Sequence, residues 1–185
     1  EILLHRVIWS FVFMLIIMQF IGGFSRLRLL FKQPKQLMVL TITSILIAGN
    51  WLLFIWAVNN DHMLDASLGY FINPLLNVLL GMLFLGERLR KLQWFAVALA
   101  SAGVLIQLIS FGSIPIVSLA LAGTFGFYAL LRKKVNVDAK AGLLVETAVL
   151  LPVALIYLVA TLDTATASML TNDWQLNLML MAAGI

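Results

Sequence analysis

The chain has 185 residues, of which 63% are hydrophobic and only 11% are charged, against about 45–50% and about 25% in soluble domains. Its mean hydropathy of +1.06 excludes an ordinary soluble domain and points to an integral membrane protein. There is no Cys, hence no disulfide, thiolate zinc site or cysteine nucleophile; the net charge of +4 suggests nucleic-acid binding only until its distribution is read.

An apolar helix needs roughly 20 residues to cross the hydrocarbon core. Six stretches qualify in chain order: Val7–Phe24, Leu37–Val58, Ser67–Leu85, Leu92–Ile109, Ile114–Leu131 and Gly142–Leu162. A seventh begins near Leu176. The expected fold is all-α, a polytopic transmembrane helix bundle of six full spans and part of a seventh. The chain opens on Glu1 and closes on Ile185 inside an apolar run, as an internal fragment of a longer protein would. Five of the six full spans hold no Asp, Glu, Lys or Arg, and Glu146 in the sixth is the exception.

Charge falls in alternate loops. Arg26, Arg28, Lys32 and Lys35 follow the first span, Arg88, Arg90 and Lys91 the third, and Arg132, Lys133, Lys134 and Lys140 the fifth, together 11 of the 12 Lys and Arg residues. The intervening loops carry Asp61 and Asp65, then no charge, then Asp163 and Asp173. Cytoplasmic loops carry the Lys/Arg excess, so these basic loops are expected inside and the N-terminus of the chain outside. The basic balance is topology, and the expected partner is a lipid bilayer, with no nucleic acid. Trp9, Trp56, Tyr70, Trp94 and Trp174 near span ends fit an aromatic belt; Trp51 lies deeper and fits it less well.

The third span places Asn73, Pro74 and Asn77 at its centre. The two amides are four apart and share a face, which Tyr70 and Gly81 continue. Pro74 has no N–H, so the Tyr70 carbonyl loses its helical donor and must find another partner in protein or cavity water. Asn50 sits at similar depth on the second span, and the second and third spans are expected to be antiparallel neighbours. Asn50, Asn73 and Asn77 are therefore candidates to line one shared space. The bland reading is interhelical glue; the sharp one is a substrate pathway.

Other polar residues have paired readings too. Arg6 and His5 open the first span, as interface snorkellers or as anion-attracting groups at the outer mouth. Glu146 is placed in the first turn of the sixth span, where the helix N-terminus alone would stabilise it; the rival is proton coupling. Glu87 and Arg88 read as structural, capping the inner end of the third span. Ala96, Ala100 and Gly103, and separately Ser118, Ala122 and Gly126, form small-residue stripes for close helix packing. Ser113 with Pro115 reads as an N-cap and early helical proline, and Pro152 as a kink. Neither a P-loop nor HExxH occurs, so no cofactor or metal is expected and an intramembrane enzyme is disfavoured against a transporter or a structural membrane subunit.

A faint internal likeness sets "LLHRVI" (3–8) over "LLVETA" (143–148) on spans of opposite sense, the arrangement an inverted repeat requires. The stretch "FLGERLRKLQWFAVALASAGVLI" (84–106) resembles the EamA signature of the drug/metabolite transporter superfamily, with Gly86, Glu87 and Gly103 matching. "HRVIWS" (5–10), "GNWLLFIWAVNN" (49–60) and "ASLGYFINPL" (66–75) resemble the RarD subgroup, named for chloramphenicol sensitivity. The resemblance implies a ten-span fold of two inverted five-helix repeats. Residues 1–109 would be part of the first repeat (family helices 2–5) and residues 110–185 part of the second (helices 6–8, truncated). It implies a bacterial cytoplasmic (inner) membrane location and a secondary transporter (permease) of a small organic metabolite or drug by alternating access. Asn50, Trp51, Tyr70, Asn73, Asn77, Arg6 and His5 are the pathway candidates and Glu146 the candidate proton carrier; a homodimer stays open.

Overall fold

The computed structural model describes residues 2–112, 114–161, 174–182 and 184. Ser113, Leu162, Asp163 and Asp173 lie outside the described residues, as do the side chains of Arg26 and Leu176. The described residues fold into helices without a strand: α1 (Ile2–Ile21), α2 (Phe24–Leu30), α3 (Pro34–Asn59), α4 (Met63–Leu85), α5 (Lys91–Phe111), α6 (Ile116–Lys134), α7 (Ala139–Thr161) and α8 (Trp174–Ala182). All but α2 and α8 are long and apolar enough to cross a membrane, six in number.

The helices overrun the apolar stretches at most ends, because backbone hydrogen bonding continues into polar residues that the hydrocarbon does not need. α4 stops where the apolar run stops. Gly86 after it takes the left-handed conformation, φ +66°, and the Glu87 N–H donates back to the Gly81 carbonyl, satisfying an end carbonyl in the way only a residue without a Cβ does cheaply. One element was not expected. The basic segment after the first span contains α2, whose Leu27 and Leu30 share a face and are buried while Arg28 is exposed; an apolar pair three apart suffices to fold a short amphipathic turn onto a core.

The chain forms two compact units. The first comprises residues 1–48 and 135–185. In it α1 packs along α7, and Met14, Met18, Leu40, Leu144 and Val145 form its core with Leu27 and Leu30. α8 lies against α1, and Gly184 sits so close that a Cβ there would stand 2.6 Å from the Cβ of Trp9.

The second unit, residues 49–134, takes the end of α3 with α4, α5 and α6. Its main contact is α4 on α6. Gly69 meets Ser118 and Leu121, Leu76 and Leu80 meet Gly126, and Glu87 meets Lys133, so the two helices run in the same direction. The stripe Ser118, Ala122 and Gly126 is buried in this contact. The other stripe, Ala96, Ala100 and Gly103, is not: all three are exposed, and a Cβ on Gly103 would meet nothing within 4 Å. Among the described residues no helix covers that face of α5. The second and third spans are neighbours, as expected. α4 meets the end of α3 through side chains, Phe54 edge-on to Tyr70 with centroids 5.8 Å apart, while its close backbone neighbour is α6, where glycine removes the bulk that holds helices apart.

Candidate functional site

Pro74 is the middle residue of α4, so Asn73 and Asn77 straddle the centre of an apolar span. The helix runs through the proline unbroken. Asn77 donates its amide N–H to the Asn73 side-chain oxygen at 3.2 Å, making a ladder one turn high. Asn50 on α3 donates to the Leu121 carbonyl at 2.9 Å and to the Thr124 hydroxyl at 2.8 Å, both on α6. Its two amide hydrogens are thus committed to holding α3 against α6. The Ser118 hydroxyl, fully buried, donates to the Asp65 carbonyl at 2.6 Å and ties α6 to the first turn of α4.

Two cavities follow this stripe. Asn50, Gly69, Tyr70, Asn73 and Leu121 line a space of about 20 Å³, enough for about one water and too small for an organic solute. Asn77, Gly81, Glu87, Gly126, Ala129 and Lys133 line a second space of about 260 Å³. The three amides expected in one space are therefore split, Asn50 with Asn73 and Asn77 apart. The reason is the seating of Leu76 and Leu80 on Gly126, which presses α6 into α4 between Asn73 and the end of the helix.

At that end the Glu87 carboxylate pairs with the Lys133 ammonium, both groups partly exposed. It lies so close to Gly81 that a Cβ there would stand 2.6 Å from Glu87 Oε2. Arg88 is exposed beside it. Tyr70 is 64% exposed, with its ring against Phe54. Trp51 is half-buried and does not line these two cavities.

The remaining candidates lie in the first unit. His5 is buried and Arg6 half-buried on α1. Glu146 departs from the sequence reading. α7 begins at Ala139, so Glu146 stands two turns inside the helix, 1% exposed. The field of a helix end acts within the first turn, so it does not account for this carboxyl. Thr43 on α3 does in part: its hydroxyl, itself fully buried, donates to Glu146 Oε1 at 2.7 Å. Ser44 and Thr147 beside them are also buried, and their hydroxyls donate to the Leu40 and Leu143 carbonyls of their own helices. Sequence reasoning passed over Thr43, Ser44 and Thr124; the signal was a run of hydroxyls, Thr41, Thr43 and Ser44, inside a span otherwise apolar.

Comparison with known proteins gives a consistent result. Residues 2–109 match the model of the EamA-like transporter family. The whole chain is 59% identical to 61% of an uncharacterized transporter of Vibrio cholerae, and 58% identical to 62% of Protein RarD of Escherichia coli. A more distant relative is the chloramphenicol-sensitive protein RarD of Pseudomonas aeruginosa, 38% identical over 84% of this chain and 53% of its own length. The chain spans about three fifths of the length of the first two of these relatives. No solved structure matches it.

Proposed function

The chain belongs to the EamA-like transporter family, and from that premise we propose that it forms the middle of a secondary transporter moving a small organic metabolite or drug by alternating access. The face of α4 that carries Asn73 and Asn77 is the pathway wall. One observation carries this reading: an amide ladder at the centre of an apolar span, with a one-water cavity on one side and a 260 Å³ cavity on the other. Amides at such depth are costly to expose to lipid, so they bond across helices or line a cavity. The small cavity is the occluded part of the route and the large one its vestibule. Asn50 serves as the strut that holds α3 on α6, and Tyr70 and Trp51 flank the wall.

The same reading makes the basic loops cytoplasmic and the chain's N-terminus external, by the alternation of charge. It assigns residues 1–109 and 110–185 to the two inverted repeats, whose relative rocking gives access from either side. His5 and Arg6 then serve the outer mouth, and the buried Glu146 couples transport to a proton. The relative named for chloramphenicol gives one member of the test panel and no more.

The experiment is uptake by sealed vesicles holding the full-length protein, over amino acids, small metabolites and chloramphenicol, with and without a pH gradient. Saturable uptake of at least one compound is expected. Asn73→Ala should reduce it at least tenfold while insertion is unchanged. Uptake equal to the parent's in that variant would remove Asn73 from the pathway.

A further inference from the structure

The ion pair at the end of α4 has a role beyond capping the helix. We infer that Glu87 and Lys133 form a latch that regulates entry to the vestibule beneath them, an inference that rests on the pathway reading above. The vestibule reaches from Asn77, eight residues before the end of α4, to the ion pair beyond that end, a path of about 12 Å along the helix at 1.5 Å per residue. Asn77 is half-buried, whereas Glu87 and Lys133 are exposed. The two charges thus line the exposed end of the space and Asn77 its half-buried end.

Three features show a contact shaped to close and to open. Each partner is placed by backbone: Glu87 follows the left-handed Gly86 and donates its N–H to Gly81, and Lys133 sits in the last turn of α6. Gly81 leaves the space into which the Glu87 carboxylate folds, and Gly126 lets α6 come near enough for Lys133 to reach it. Finally, both side chains are more than a third exposed, so the pair is of the weak, salt-screened kind that opens readily. Pro74 supplies a place to bend, since the segment from Leu75 to Glu87 lies on the far side of the missing hydrogen bond. Opening the latch frees that half of α4 from α6 and widens the vestibule toward Asn77.

Residues 1–185 contain no Cys, so Ala129→Cys, on the vestibule wall, provides a reporter. The full-length protein carrying it is placed in sealed inside-out and right-side-out vesicles without added solute. Its alkylation by a membrane-impermeant maleimide is timed against the same protein with Ala129. Glu87→Gln and Lys133→Met should each raise the rate roughly two- to fivefold from the face bearing Arg88, Arg90 and Lys91, the size of an exposed ion-pair coupling. Gly81→Ala, whose Cβ displaces the carboxylate, should do the same with both charges kept. Exchange of the charges, Glu87→Lys with Lys133→Glu, should return the rate to near the parent's, and salt should speed the parent but neither single variant. Unchanged rates in both single variants, or no recovery on exchange, would overturn the latch. Because labelling needs no solute, a failed uptake assay would count against the transport reading and leave this result readable.

Discussion

Thr43→Val should destabilise the protein by about 1–3 kcal/mol, the range for removing one partner of a buried hydrogen bond. Ordinary amide and hydroxyl contacts between membrane helices average only about 0.6 kcal/mol. The larger figure is expected because Thr43 is wholly buried and its acceptor is a carboxyl oxygen of Glu146, 1% exposed in an apolar helix. Losing the hydroxyl removes a buried donor from that oxygen where water does not replace it. Adding Glu146→Met should recover most of the loss, since removing both partners of a buried polar contact is far cheaper than removing one. Thermal unfolding of the purified full-length protein in detergent measures all three. A Thr43→Val loss near 0.6 kcal/mol with no recovery in the double variant would reduce the contact to ordinary packing. Glu146→Gln keeps the shape and an acceptor, so its stability should stay within about 1 kcal/mol of the parent. In the same vesicles, it should lose any pH-gradient dependence of uptake.

Gly69→Leu should cost about 3 kcal/mol or more, at the upper end for overpacking. A Cβ at Gly69 would stand 3.1 Å from the Ser118 carbonyl oxygen and 3.3 Å from its Cα. These are backbone atoms of α6 and cannot rotate away, so α6 itself must shift, and with it the seat of Leu76 and Leu80 on Gly126. Gly69→Ala sets a smaller clash against the roughly 1 kcal/mol that Ala gains over Gly in a helix, so it should change stability little. Thermal unfolding measures both variants, and a Gly69→Leu loss no larger than that of Gly69→Ala would contradict the α4–α6 contact.

What was legible in the sequence follows from which forces act locally. Span number and position come from hydropathy alone, and the charged Glu87 and Arg88 mark where the third span ends. The Ser118, Ala122 and Gly126 stripe was readable as a packing face, whereas the equally regular Ala96, Ala100 and Gly103 stripe is exposed. Periodicity shows that a face is suited to contact, and only the rest of the fold decides whether anything meets it. The amides were readable as a stripe on α4, but their division between two cavities depends on α6, which lies about 50 residues further along the chain. Glu146 was misplaced by one specific error. Starting α7 at Gly142 instead of Ala139 moved the carboxyl into the first turn and hid the need for a partner such as Thr43.

The central claim is that the Asn73 face of α4 is a route reachable from both sides of the membrane. The direct measurement is the two-sided accessibility of Asn73→Cys in the full-length protein, using impermeant maleimide on sealed vesicles of both orientations. The account predicts labelling from both faces, slowed by any solute that the uptake panel identifies. A cysteine at position 73 that reacts from neither face, in a protein that still inserts and folds, would make the amide ladder helix packing and contradict the pathway.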